Sequence, residues 1–222
     1  IMKVNFISRK GTEHFAAPIL NYINNNSAND LVIDRTINKN KLLAAFKSLF
    51  YKKIWVEWAS HNAINISNIL RSNQKLVIRL HRYEMYNEKY MKKIRWEKVD
   101  RLIFVNPELE KIFKQKINKF VKTVTIPNAI DIEKFDYFEP SSKNSLLAYS
   151  HSFHPVKGYN NLLKTFAKII NANPNFSLTI AAKKPTSLIH IKNYNECKKI
   201  ILNSNLKNKA FLHEITEDRE IP

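Results

Sequence analysis

The sequence contains very little glycine: Gly11 and Gly158 are the only two in 222 residues. Average usage of about 7% would give about 16. Each glycine follows a lysine, Lys10 or Lys157, and lies between a predicted strand and a predicted helix. Glycine at such a corner either eases a tight turn or lets a ligand approach the backbone, where the helix start offers N–H groups to an anion. The residues alone leave both explanations open.

Cysteine and long apolar runs are also scarce. The single Cys197 excludes an intrachain disulfide framework and a thiolate metal cage, and it fits a reducing compartment. No apolar run approaches about 18 residues, so we expect no membrane-spanning helix. The first residues alternate like a strand and lack the apolar stretch of a signal peptide. We therefore expect a cytoplasmic protein, either free or peripheral at the inner face of the membrane.

Acidic residues are outnumbered by basic ones, 19 against 37, which gives a formal net charge of +18. Such a charge attracts phosphates, nucleic acid and anionic membranes, although a lysine-rich codon bias produces it too. No helix-turn-helix, RNA-recognition or zinc pattern occurs, so nucleic acid is not an expected partner. One helix is predicted from about Asn87 to Lys98. Its basic residues are candidates for contact with an anionic membrane: Lys89, Lys92, Lys93, Arg95 and Lys98.

Short apolar segments alternate with helical segments along the chain. Strands are predicted at 2–8, 31–34, 53–59, 75–81, 101–106, 121–127, 146–150, 176–182 and 209–214. This alternation predicts an α/β protein with doubly wound parallel sheets. Charge, proline and serine in 131–145 indicate a linker. We therefore predict a Rossmann-like domain at 1–130 and a second one at 146–222, which holds about half of the strands that a full domain needs.

Residues that directly follow a strand are the candidates for function, because ligands of such sheets bind off the carboxyl ends of the strands. His81 follows the fourth predicted strand and is the best candidate for an active-site histidine, against the alternative of a structural one. His61 follows the third strand and is a weaker candidate. Glu84 lies three residues after His81. If this loop is helical, the two share a face, and Glu84 could orient the ring or contact an acceptor.

A longer pattern extends over residues 101–182. It consists, in this order, of DRLIFVNPELEKIF, VTIPNAIDIEKF and LLAYSHSFHPVKGYNNLLKTFAKIINANPNFSLTIAA. In order and spacing these segments resemble the retaining nucleotide-sugar glycosyltransferases of family four, which have two Rossmann-like domains in the GT-B fold. The front half resembles the family more loosely, through RKGTEH, ASHNA and LHRYE.

The resemblance implies transfer of a sugar from a nucleoside diphosphate donor to a glycan or lipid-linked acceptor, with retention of configuration, in surface polysaccharide synthesis. The first domain would hold the acceptor and the second most of the donor. The resemblance implies catalytic roles for His81, Lys157 and His151, and donor binding by Ser152, Gly158, Asn128 and Ala182. The loops that would line the acceptor cleft carry Lys10, Gly11, Thr12, His61 and Glu84.

The sequence also departs from the family pattern. The family's Gly-Arg corner reads SHS here, so that Ser152 or His151 stands at the arginine position, depending on the spacing to Lys157. Alanines replace two family glycines, at Ala129 and Ala182, and the position of the family's later acidic donor motif lies beyond the last residue of this sequence. No Asp-x-Asp occurs either, so we expect a metal-independent donor site without a cofactor, in which cations and helix N-termini stabilise the diphosphate.

Three alternatives stay open. A non-enzymatic polyanion-binding protein would explain the charge directly, and its binding would fall steeply with salt and ignore nucleoside diphosphates. A sugar-nucleotide epimerase also uses two Rossmann-like domains, and product analysis without acceptor separates it from a transferase. A transferase that has lost its activity would explain the missing arginine.

Overall fold

The computed structural model describes residues 1–26, 31–38, 41–117, 120–130 and 143–216. The chain divides into two compact units, Ile1–Asp136 and Tyr137–Pro222. The predicted linker falls mostly in 131–142, outside the described residues, so its boundaries stay a prediction. Each unit contains one parallel sheet with helices packed against it.

The first unit is built on a sheet of six strands. They are β1 (Met2–Arg9), β2 (Leu31–Asn38), β3 (Lys53–Glu57), β4 (Lys75–Leu80), β5 (Arg101–Phe104) and β6 (Thr123–Thr125). All neighbours are parallel, in the order β2-β1-β3-β4-β5-β6. The order reverses between β1 and β3, so the carboxyl ends of these two strands flank the point where such sheets bind ligands.

Helices cover this sheet. They are α1 (Ala17–Asn26), α2 (Lys41–Ser48), α3 (His61–Ile69), α4 (Arg82–Met85), α5 (Glu88–Met91) and α6 (Pro107–Lys116), with 3₁₀ turns at Glu13–Phe15 and Trp96–Lys98. The central strands β3, β4 and β5 bury the apolar side chains of one face completely, as at Val56, Ile78 and Leu102. The apolar side chains on their other face, Trp55, Val77 and Ile103, are half-buried. Their nearly continuous apolar sequences reflect this coverage of both faces.

The second unit contains three parallel strands in the order β7-β8-β9. They are β7 (Ser145–Ser150), β8 (Ser177–Lys183) and β9 (Ala210–Ile215), connected by α7 (Tyr159–Ala172) and α8 (Leu188–Leu202). The core contains Phe153, Phe166, Ile180 and the buried Cys197. Three strands are about half of a doubly wound sheet. The predicted α/β class, with a partial second domain, is confirmed.

The prediction of one helix from Asn87 to Lys98 is wrong. Helix α5 ends at Met91, because the Met91 carbonyl and the Arg95 N–H, which would bond each other in a continued helix, have other partners. The Trp96 indole donates to the Met91 carbonyl at 2.8 Å, and the Arg95 N–H donates to Ser67 Oγ at 3.2 Å. The basic residues predicted on this helix therefore do not share one helical face.

Among the described helices, none has both the length and the apolar character needed to cross a bilayer.

Candidate functional site

A buried ionic network joins the ends of β3 and β4. Glu57, the last residue of β3, pairs in register with Arg79 of β4. Arg79 Nη1 donates to Glu57 Oε1 at 3.0 Å, and His81 Nε2 lies 2.8 Å from the same oxygen. The side chains of Arg79, Glu57 and His81 are only 1%, 0% and 6% exposed. One carboxylate oxygen thus contacts both a guanidinium and an imidazole, which is the kind of partner that a buried charge requires.

Arg79 extends the network to two further segments. Its Nη2 donates to Asn128 Oδ1 at 2.6 Å, and its Nη1 donates to the Phe15 carbonyl at 3.3 Å. Asn128 follows β6 and is exposed. Two buried atoms, Glu57 Oε2 and Arg79 Nε, have no hydrogen-bond partner among the described residues. Unpaired buried polar groups are uncommon in proteins and concentrate where function or strain requires them.

Aromatic rings enclose the imidazole of His81. The Trp58 ring stacks on it with centroids 4.0 Å apart and planes at 15°, and Phe15 lies at 5.3 Å. Trp58 adopts φ +75°, a left-handed conformation that is rare for a bulky residue and costs about 1–3 kcal/mol. This conformation ends β3 at Glu57, whereas the sequence predicts the strand up to 59. The Trp58 indole N–H also donates to the Thr12 carbonyl at 3.0 Å.

Glu84 contacts His81 through the backbone. Its Oε2 accepts a hydrogen bond from the His81 N–H at 3.0 Å, at the start of α4. The carboxylate on the imidazole ring is that of Glu57 instead. Burial raises the pKa of Glu84 to about 7, and the nearby charge of Glu57 acts in the same direction.

The remaining predicted residues of the first unit lie after β1 and β3. Lys10 and Gly11 are exposed at the corner after β1. Thr12 Oγ1 donates to the Arg9 carbonyl at 2.8 Å. The Thr12 carbonyl accepts a hydrogen bond from the Trp58 indole, which stacks on His81. His61 begins α3, and its ring packs edge-on against Tyr90 at 5.1 Å. The structure therefore connects Thr12, His81, Glu84 and Asn128 through one network, while His61 packs on Tyr90.

Backbone conformation explains both glycines. Gly11 has φ +85° and Gly158 has φ +74°, values that side chains other than glycine rarely adopt. A Cβ added at either position would have no heavy atom within 4 Å. The sequence leaves open whether glycine eases a tight turn or lets a ligand approach the backbone. The turn conformation alone is sufficient to explain glycine at both positions.

Replacement of Gly11 by alanine is expected to lower the free energy of unfolding of the first unit by about 1–2 kcal/mol, because a side chain in the left-handed region is strained. Urea unfolding followed by tryptophan fluorescence measures this unit alone, since Trp55, Trp58 and Trp96 all lie in it. Gly11→Asn is the matched control and should lose less, because asparagine tolerates this conformation. Equal stability of the alanine variant and the parent would contradict the prediction.

The predicted donor residues of the second unit lie around the end of β7. Ser150 Oγ donates to the Ser152 carbonyl at 2.8 Å and accepts from the Tyr159 hydroxyl at 2.7 Å. Of the two candidates for the missing arginine, His151 is exposed and Ser152 is half-buried. Ala182 is fully buried in β8, in register with Ser150.

Lys157 and Gly158 form the entrance to α7. Lys157 is exposed and ends a 3₁₀ turn that starts at Pro155, and Gly158 connects this turn to Tyr159, the first residue of α7. Its N-cap residue is Gly158, which has no side chain that could cap this end of α7. The first N–H groups of a helix have no intrahelical partner, so this end presents donors and the positive end of the helix dipole beside a lysine.

Glu57, Arg79 and Trp58 are not among the site residues predicted from the sequence. A signal exists in the segments KIWVE and KLVIRL, where, after an initial lysine, one acid and one arginine are the charged residues of apolar strands. Their opposite charges become meaningful only when β3 lies beside β4 with Glu57 opposite Arg79. Among the described residues, no group of three or more His, Cys, Asp or Glu is placed to hold a metal ion.

Comparison with known proteins gives matches in structure only. No protein-family model and no curated protein matches the sequence. HepE of Anabaena, solved in complex with UDP and glucose, superposes with a TM-score of 0.68 at 14% identity, over 97% of this chain and 70% of HepE. Sucrose-phosphate synthase of Thermosynechococcus elongatus superposes with a TM-score of 0.71 at 15% identity, over 97% of this chain and 71% of the synthase. OtsA superposes with a TM-score of 0.67 at 11% identity, over 99% of this chain and 74% of OtsA.

This chain has the GT-B fold. The fold that the resemblance implied is thereby confirmed, including the partial second domain, since the chain spans 70% of HepE and 71% of sucrose-phosphate synthase. At 14% and 15% identity the likeness concerns the fold and not the activity. The activity has to be argued from the residues of the site.

Proposed function

We propose that this chain is part of a glycosyltransferase that moves a sugar from a nucleoside diphosphate donor to a glycan or lipid-linked acceptor with retention of configuration. The observation that carries the proposal is the buried network of Glu57, Arg79 and His81, with the strained Trp58, at the carboxyl ends of β3 and β4. Buried charge and backbone strain of this kind concentrate at functional sites. The GT-B fold of HepE, a protein solved with UDP-glucose, supports the donor class.

In this proposal the network positions the groups that contact the substrates. The Glu57 carboxylate contacts Nε2 of the His81 ring, and Trp58 stacks on the same ring. These two contacts fix the orientation of the imidazole. Arg79 holds the exposed Asn128 by its side-chain oxygen. His81 and Asn128 would face the substrates, whereas Glu57, Arg79 and Trp58 would act through them as positioning residues. Rigid supporting contacts of this type preserve the geometry that a transfer requires.

The donor diphosphate would bind at the entrance to α7. Lys157 supplies a mobile cation there, and the uncapped N-terminus of α7 supplies N–H donors. Both stabilise the negative charge that develops on a departing diphosphate, so the proposed reaction needs no metal. Ser152 or His151 would complete the site where the family has an arginine, and Gly158 and Ala182 would shape it.

The variant Lys157→Ala is expected to weaken the binding of UDP about 10- to 100-fold, because it removes a charge-assisted contact to the diphosphate. Calorimetric titration with UDP measures this change in affinity. When EDTA is present, the same titration tests whether UDP binds without a metal ion. Lys164→Ala is the matched control, since Lys164 is an exposed lysine further along the same helix. Equal losses in both variants, or unchanged binding in Lys157→Ala, would refute a specific role of Lys157.

Product analysis distinguishes the proposed activity from the alternatives. Incubation with a UDP-sugar and a glycan or lipid-linked acceptor should yield a new glycoside with the donor's anomeric configuration. An altered sugar nucleotide formed without acceptor would instead identify an epimerase. Binding of DNA or heparin that falls steeply with salt, without binding of nucleoside diphosphates, would identify a polyanion-binding protein. A product made on a lipid-linked acceptor would also support the proposed role in surface polysaccharide synthesis at the cytoplasmic face of the membrane.

A further inference from the structure

Helix α2 turns its large apolar side chains outward. Its buried positions are the small residues Ala44, Ala45 and Ser48. Four large apolar residues of α2 and of the turn after it are exposed by 58–74%: Leu42, Leu43, Phe46 and Phe50. A helix on the surface of a soluble domain normally has the opposite arrangement, with its large apolar residues toward the core.

These four residues form one stripe. Leu42 and Leu43 lie four and three residues before Phe46, which brings all three to the same side of the helix, and Phe50 follows in the turn after it. The rings of Phe46 and Phe50 contact each other edge-on, with centroids 5.5 Å apart. The stripe, defined by Leu42, Leu43, Phe46 and Phe50, is therefore a continuous apolar surface, which in soluble proteins indicates a site of interaction.

Positive charge lies beside the Phe50 end of the stripe. From Arg35 to Val56 the sequence contains six basic residues and no acidic residue. Phe50 lines one surface depression together with Lys3, Lys52 and Lys53. None of these lysines forms an ion pair with another described residue. The acidic side chain in the lining, Asp34, accepts a hydrogen bond from the Tyr51 hydroxyl at 2.7 Å.

We propose that α2 and the turn after it dock on an anionic lipid bilayer. The stripe inserts at the boundary between headgroups and acyl chains, and Lys3, Lys52 and Lys53 contact the lipid phosphates. Phenylalanine and leucine beside lysine are typical of helices that lie in a membrane interface, whereas protein–protein interfaces are depleted in lysine. Charge complementarity therefore favours a lipid surface over a protein partner. The exposed stripe and the lysines beside it support this docking, and the docking does not depend on the proposed transfer chemistry.

This surface differs from the basic residues between Lys89 and Lys98 that the sequence offers as candidates for membrane contact. There Lys92 pairs with Glu88 at 2.6 Å and Arg95 pairs with Glu97 at 3.0 Å, so acidic partners offset part of the charge. The residues of that cluster are distributed over α5 and the turns after it. The two surfaces can be tested against each other with matched variants.

Cosedimentation with vesicles tests the proposal. The 222-residue chain should bind vesicles that contain phosphatidylglycerol, bind vesicles of phosphatidylcholine weakly, and dissociate from the former as salt rises. The double variant Lys52→Ala/Lys53→Ala should lower the partition coefficient about 30-fold, since each lysine near an anionic surface contributes about fivefold. Phe46→Ser/Phe50→Ser should lower it about tenfold or more by removing inserted rings. Unchanged circular dichroism and tryptophan fluorescence would show that both variants fold.

Two control variants make the test specific. Leu188→Ser/Leu202→Ser removes two apolar residues of α8 that are 87% and 66% exposed, and Lys89→Ala/Lys93→Ala removes two charges of the other basic cluster. Both should leave vesicle binding unchanged, and equal losses in the controls would overturn the assignment to α2. Absence of vesicle binding, or a dimer that Phe46→Ser/Phe50→Ser converts to a monomer, would also overturn it. Titration of the same variants with UDP measures nucleotide binding, so failure of the docking surface and failure of the proposed donor site can be told apart.

Discussion

Replacement of Glu57 by alanine is expected to lower the free energy of unfolding of the first unit by about 3–5 kcal/mol. The variant leaves the Arg79 guanidinium and the His81 imidazole buried without the carboxylate that contacts both of them. A buried charge without a partner is much more costly than the pair that it replaces. Urea unfolding followed by tryptophan fluorescence provides the measurement.

Two further variants define what the loss means. The double variant Glu57→Met/Arg79→Met should recover part of the stability, because an apolar pair often replaces a buried ion pair at little cost. Glu97→Ala should change the stability by less than about 1 kcal/mol, since the ion pair of Glu97 with Arg95 is half exposed. If Glu57→Ala costs no more than Glu97→Ala, the network does not stabilise the unit, and its role as a rigid support for His81 fails as well.

The ionisation of Glu84 is expected to lower the stability of the first unit by about 3 kcal/mol as the pH rises from 4.5 to above 7. Burial raises the pKa of Glu84 from its ordinary value of 4.5 to about 7 in the folded state. The folded protein therefore holds this proton more tightly than the unfolded chain does. The contribution to stability is fully present below pH 4.5 and is lost as the pH rises through 7.

Urea unfolding of the parent and of Glu84→Gln, from about pH 4 up to about two units above the shifted pKa, isolates this contribution. Glutamine keeps an oxygen for the His81 N–H but does not ionise, so the variant should gain stability relative to the parent as the pH rises. The comparison also separates Glu84 from His81, because His81 is present in both proteins. Parallel curves for the two proteins would show that Glu84 does not titrate in this window.

The network and the proposed docking surface assign different tasks to one unit. Glu57, Arg79 and Trp58 hold His81 and Asn128 in place at the carboxyl ends of the strands. Helix α2 contributes its small residues to the core and leaves its large ones for a surface. If both proposals hold, the protein would carry out its transfer while attached to the membrane that contains a lipid-linked acceptor.

Local pattern was sufficient for most of the fold. The alternation of apolar strands and amphipathic helices predicted each of the nine described strands to within a few residues, because strand and helix periodicities are properties of neighbouring residues. It failed between 87 and 98, where the Trp96 indole and the Ser67 hydroxyl take the backbone hydrogen bonds that would continue α5. It also failed at the end of β3, where Trp58 adopts a left-handed conformation that its residue type disfavours.

The sequence by itself determined the α/β class, the parallel sheets, the two glycine corners and the position of His81 at the end of a strand. Each of these follows from residue type and short-range periodicity. Only the tertiary structure decided that Glu57 lies opposite Arg79, that Trp58 covers His81 and that α2 turns its large residues outward. The physical reason is that pairing across strands and burial depend on which elements become neighbours, and that information is not contained in any single segment.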